Sequence, residues 1–160
     1  MKTKKLTHTA ISLTLIIISF MLFRGSTNFI NAVTIPLIFY LNYKKFDFKY
    51  FSTLVLISLI ISILFFFQQL FFIFFYALMA VFLKNLLQYG YPRLIKIIIL
   101  SFSFGIGFYT TLTLTDTILG TALRKVLASV AAGNIFLLIL LYTVTSLFVS
   151  ISLLIIVPEI

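Results

Sequence analysis

Long apolar runs broken by short polar or basic stretches dominate the pattern of this chain. From about Leu6 to Phe23 only hydroxyl side chains and His8 interrupt the first run. A second covers about Asn28 to Tyr43 with Pro36 inside it, and the stretch KKFDFKY from Lys44 to Tyr50 closes it. The block from Phe51 to Leu83 is apolar almost throughout. As one helix it would be about 50 Å long, well beyond a hydrocarbon core of about 30 Å. It is therefore expected to break near Gln68-Gln69, giving spans over 51–67 and 70–87. Further spans are expected over 94–114 and 135–157. The pattern predicts an all-α fold: an integral membrane bundle of about six transmembrane helices, forming one domain over residues 1–160. The runs are continuously apolar, whereas barrel strands alternate in pieces of about 10 residues, so a β-barrel is excluded.

The segment between the last two spans has a different period. Ile118, Leu119, Ala122, Leu123, Val126, Leu127 and Val130 recur in alternating steps of one and three, with Thr117, Thr121, Arg124, Lys125 and Ser129 opposite them. That is an amphipathic helix over about 117–132. Thr115 or Asp116 is placed to cap it, and a carboxylate there also suits the positive end of the helix dipole. Gly133-Asn134 is a stop signal before the last span. The helix either lies in the membrane interface or folds over the bundle as a lid.

Charge orients the bundle. With the N-terminus inside, the cytoplasmic segments hold Lys2, Lys4, Lys5, Lys44, Lys45, Lys49, Lys84, Arg93 and Lys96, and the outer ones only Arg24, Arg124 and Lys125. This is the asymmetry of the positive-inside rule, with both termini cytoplasmic and the amphipathic helix extracellular. A five-span count without the Gln-Gln break loses it. The basic N-terminus followed by an apolar run also fits a signal peptide. However, Phe23 and Arg24 stand where a cleavage site needs small residues, and the segment is expected to be a retained span.

Composition sharpens the picture. The chain is 62% hydrophobic and 9% charged, with a mean hydropathy of +1.25, against about 45–50% and about 25% in soluble domains. Its net charge of +9 follows from the basic inner loops and gives no reason to invoke nucleic acid. With no tryptophan, an aromatic belt rests on tyrosines such as Tyr40, Tyr43, Tyr50, Tyr89 and Tyr91 near the helix ends. The absence of cysteine removes disulfides, thiolate nucleophiles and sulfur-ligated metals.

Chemistry-bearing residues are few. One histidine, His8, makes no metal site alone, and neither a zinc-protease pair nor a nucleophile elbow occurs. No enzyme, metal or cofactor is expected. An enzyme acting on lipid-linked substrates would have to rely on Asp116 facing Arg124 or Lys125. Gly105 and Gly107, with Ser101 and Ser103, permit close helix approach or line a substrate path. Polar side chains at membrane depth are costly and so mark candidate sites. Arg24, Asn28, Asn31, Gln68, Gln69, Asp116, Arg124 and Lys125 all fall at the outer side in this topology. They are the candidate solute-binding or gating set.

The basic start running into the first span, KKLTHTAISLTLIIISF, and the proline-bearing second segment with its basic turn, NAVTIPLIFYLNYKK, carry a family resemblance. With six spans and both ends inside, the chain resembles the S-components of bacterial energy-coupling-factor transporters over nearly its whole length. The resemblance implies a substrate-binding subunit in the bacterial cell membrane that captures a small, vitamin-like solute from outside. It would then topple as a transmembrane coupling subunit and ATPases release the solute inward. The family's first span offers small residues four apart to the coupling subunit, and the nearest match here is Ala10 and Thr14. The length and span count also resemble the rod-shape-determining membrane scaffolds. That likeness implies instead a non-catalytic scaffold or accessory subunit of a cell-envelope complex. An enclosed cavity would favour the first reading, and a filled bundle with an exposed groove the second.

Overall fold

The computed structural model of the chain describes residues 2–23 and 29–157, and within them every regular element is helical. The elements are α1 (Lys2–Leu22), α2 (Asn31–Lys45), α3 (Phe48–Phe65), a 3-10 turn (Phe67–Gln69), α4 (Leu70–Gln88), α5 (Arg93–Leu119), α6 (Leu123–Val130) and α7 (Ile135–Ile156). Five helices, all but α2 and α6, are long and apolar enough to cross a membrane. The chain is accordingly read as a multi-pass membrane protein. By packing, the chain is described as two compact units, Met1–Tyr89 and Gly90–Ile160. The joint falls at Gly90-Tyr91-Pro92. Tyr89 is already extended and Pro92 caps α5, because proline lacks an N–H and suits only a helix start.

In the first unit α2 packs against α1, α3 and α4. Its buried face carries Ile35, Phe39 and Tyr40 between two buried asparagines, Asn31 and Asn42. Half of α4 is buried, against 22% of α1 and α3, so those two helices leave most of their apolar surface for lipid. The 15 residues of α2 make a helix of about 22 Å. It extends past the expected end at Tyr43 through Lys44 and Lys45, where cations suit the negative end of the helix dipole.

The expected break at Gln68-Gln69 takes the form of a turn that begins at Phe66, whose backbone leaves the helical region (φ −138°, ψ 49°). Ser62 holds it twice. Its carbonyl accepts the Phe66 N–H at 2.9 Å, and its hydroxyl donates to the Phe66 carbonyl at 2.9 Å.

In the second unit α5 packs against α7 and α6. It runs five residues past Leu114, the end expected from hydropathy. The reason is local. Thr110 donates its hydroxyl to a carbonyl three residues back, and Thr111, Thr113, Thr115 and Thr117 each to one four residues back. A polar run is thus satisfied within the helix itself. Gly120, at φ 65°, ends α5 in the left-handed conformation that glycine tolerates. The amphipathic helix is therefore shorter than the expected 117–132: residues 117–119 belong to α5, and α6 is Leu123–Val130. A turn through Ala132 (φ 50°) and Gly133 (φ 71°) follows, and the Gly133 N–H closes it on the Ala128 carbonyl at 3.0 Å. Asn134 then caps α7, its Oδ1 accepting the Phe136 N–H at 2.9 Å.

Candidate functional site

The face of α5 made by Ile98, Ser101, Phe102, Gly105, Ile106 and Tyr109 and that of α7 made by Ile135, Leu138, Ile139, Tyr142, Thr143, Ser146 and Leu147 enclose an open groove of about 680 Å³. On both helices the lining positions advance in alternating steps of three and one, which puts each set on one helical face. Small residues form the floor, since a Cβ on Gly105 would lie 3.1 Å from Ser146 Oγ. Ser146 turns that hydroxyl into its own helix, donating to the Tyr142 carbonyl at 2.7 Å. The rings of Tyr109 and Tyr142 meet edge to face, 6.0 Å apart, between the Gly105–Ser146 floor and the Ile135 end of the groove. The hydroxyl of Ser101 is buried without a hydrogen-bond partner, so the lining keeps one polar group unspent. Phe102, Ile106, Ile135 and Ile139 are exposed, so the groove is open along its length. Its volume lies in the range of about 300–1,000 Å³ typical of small-molecule sites, which are mainly apolar with a few polar groups.

Beyond Tyr109 along α5 sits a polar knot. Asp116 Oδ1 accepts from the Thr121 hydroxyl at 2.6 Å and the Leu123 N–H at 2.8 Å. Its Oδ2 accepts from the Arg124 N–H at 2.9 Å and from Arg124 Nε at 3.2 Å. Asp116 therefore does cap the amphipathic helix, but from the last turns of the preceding one, across Gly120. The carboxylate satisfies the first free N–H groups of α6 and pins it against α5.

The other candidates have separate surroundings. Arg24 and Asn28 lie outside the described residues. Asn31 is fully buried, with Oδ1 accepting from the Ser19 hydroxyl at 2.6 Å and Nδ2 donating to the Phe23 carbonyl at 2.9 Å, which ties α1 to α2. Gln68 is exposed in the 3-10 turn, and beside it Gln69 Oε1 is buried without a partner. Lys125 is exposed on α6. Ala10 and Thr14 face outward on α1, with the Thr14 hydroxyl on the Ala10 carbonyl at 3.0 Å. Among the described members of the set, Asp116 and Arg124 are brought into direct contact.

Sequence reasoning missed the α7 wall of the groove. No periodicity marked it, because α7 is apolar nearly all round and residues off the groove face, such as Phe136, Leu140 and Val144, are as apolar as those on it. It also missed the way basic and aromatic side chains converge at one end of the first unit. There Lys5 Nζ lies 2.6 Å from Asp47 Oδ2 and holds that carboxyl below its ordinary pKa, chiefly through the hydrogen bond between them. Among the described residues no three metal-ligating side chains gather.

Comparison with protein-family models, with characterised proteins and with solved structures finds no match to this chain.

Proposed function

We propose that this chain is a non-catalytic binding subunit of the bacterial cytoplasmic membrane, which takes a small, largely apolar, vitamin-like molecule into the α5–α7 groove. An ATPase-driven partner, reached through a transmembrane coupling subunit, then drives its import. The observation that carries this reading is the size and lining of the groove, about 680 Å³ with a floor of small residues and the Tyr109–Tyr142 pair along it; it is open, not the enclosed cavity expected of such a subunit. Within the reading, α2 is a sixth, short crossing, both termini are cytoplasmic and α6 lies outside. The nine-to-three distribution of basic residues supports that orientation. The Ile135 end of the groove and the Asp116–Arg124 knot then face the side from which solute arrives.

The test is gentle purification of the protein from membranes, with bound small molecules and subunits identified by mass spectrometry. The expected result is one enriched small molecule and a pair of ATPases, with the molecule lost from a Thr143→Phe variant whose added ring projects from the exposed α7 wall into the groove. Recovery of neither from wild-type protein would overturn the reading.

A second reading, a scaffold or accessory subunit of a cell-envelope complex, is favoured by one specific observation. The groove is open along its length, as a partner's transmembrane helix would require. In the same experiment it expects envelope proteins without a small molecule, and their loss from the Thr143→Phe variant.

A further inference from the structure

We propose that the basic and aromatic end of the first unit is a binding site for the phosphate headgroup of an anionic phospholipid. Three helices build it. The first turns of α1 meet the corner between α2 and α3, where Lys5 pairs with Asp47 at 2.6 Å and Lys45 Nζ lies 3.1 Å from His8 Nε2. From α4, Lys84 reaches the Tyr43 carbonyl at 3.3 Å. Lys4 and His8, four residues apart, share one face of α1.

The balance of charge at this end is one-sided. Lys5, Lys45 and Lys84 are tied to this corner with His8, while Lys4 lies in the first turn of α1, Lys44 in the last turn of α2 and Lys49 in the first turn of α3. Asp47 is the one acidic side chain among the described residues of this unit, and it is already committed to Lys5. The mutual repulsion of the remaining ammonium groups falls when an anion sits among them.

The cations are also held in place beforehand. Lys44 lies over the Tyr40 ring at 5.9 Å, Lys45 over Phe46 at 5.8 Å and Lys84 over Tyr43 at 3.7 Å. Cation–π contacts of this kind restrain long side chains that would otherwise lose entropy on binding. A free phosphate ion would need only the charges. Here Leu41, one turn before Lys44 and Lys45, and Phe48, just after the corner, are exposed apolar side chains beside them. A surface that joins fixed cations to exposed hydrocarbon matches a molecule with a phosphate at the end of acyl chains. Basic clusters at the membrane face of transmembrane helices recognise anionic lipids through this combination.

The experiment is native mass spectrometry of the intact chain released from bilayers of mixed neutral and anionic phospholipid. Wild-type protein is expected to retain anionic lipid preferentially. The Lys44→Gln/Lys45→Gln variant should lose that retention by about thirtyfold, from the loss of two surface cations. The Lys44→Arg/Lys45→Arg variant should retain lipid like the wild type, and Lys125→Gln on α6 should have no effect. Circular dichroism of each variant checks that the helices persist. Equal retention by the Gln variant, or equal loss on Lys125→Gln, would overturn the site. So would displacement of the lipid by millimolar inorganic phosphate, which would mean that charge alone is read.

Discussion

Gly105 faces Ser146 so closely across α5 and α7 that a methyl group on Gly105 would stand 3.1 Å from the Ser146 hydroxyl. Two effects then oppose each other in Gly105→Ala. The substitution gains about 1 kcal/mol of helix propensity but crowds an oxygen that is fixed on the Tyr142 carbonyl at 2.7 Å. Alone it is expected to be neutral or mildly destabilising. In a Ser146→Ala background, which removes the oxygen, it should stabilise by about 0.5–1 kcal/mol. Thermal unfolding of the four proteins in one detergent reads the coupling. Identical effects of Gly105→Ala in both backgrounds would show that the two helices do not touch there.

Asp116→Asn should loosen α6. The amide keeps one acceptor oxygen but loses the charge, and with it the Arg124 contact and one of the caps. The expected cost is about 1–2 kcal/mol. Hydrogen exchange gives the local signature, with faster exchange at the Leu123 and Arg124 amides and no change in α7. Unaltered protection at those two positions would mean that α6 is held by other contacts.

Asn31→Ala separates an architectural role from a role in solute binding. It leaves the Ser19 hydroxyl and the Phe23 carbonyl with one partner fewer each inside the first unit, which should lower stability by about 1–3 kcal/mol. A drop in unfolding temperature with or without added solute is the expected outcome. A variant as stable as the wild type would return Asn31 to the list of binding residues.

The Lys5–Asp47 pair gives stability a small pH dependence of definite sign. Because the folded pKa of Asp47 is depressed, the contribution is complete above the ordinary carboxylate range of about 4. It is lost as pH falls through the lowered folded value. Wild type should therefore unfold slightly above Asp47→Asn near neutrality, and the two should converge in acid. The effect is small because both side chains meet solvent. A gap that persists well below the carboxylate range would assign the difference to something other than charge.

The helices were legible wherever apolar runs were long, since length and continuity alone select membrane-crossing segments. Boundaries were less so, and for reasons that lie in individual side chains. The end of α5 shifted because threonine counts as polar on a hydropathy scale yet hydrogen-bonds its own helix. The start of α6 shifted because Gly120 and the Asp116 carboxylate act across the turn, eight residues from the farthest amide they serve. That Asp116 caps a helix could be foreseen from its type and place, but not that it does so from the helix before. The burial of Asn31 was illegible for a related reason. Its partner Ser19 lies on another helix, twelve residues away, and no local pattern encodes which face of α1 meets α2.

One consequence of the threonine-rich end of α5 concerns the thickness of the membrane. A helix of 27 residues measures about 40 Å, some 10 Å more than a typical hydrocarbon core. Its surplus turns are the ones in which every threonine hydroxyl is already bonded to the backbone. Thr111 and Thr115 are buried against the rest of the unit, and Thr117 is exposed with its hydroxyl satisfied by its own helix. Asp116 lies in the same turns and its pair with Arg124 belongs among headgroups, so the surplus length of α5 is expected to be taken up by tilt in the bilayer.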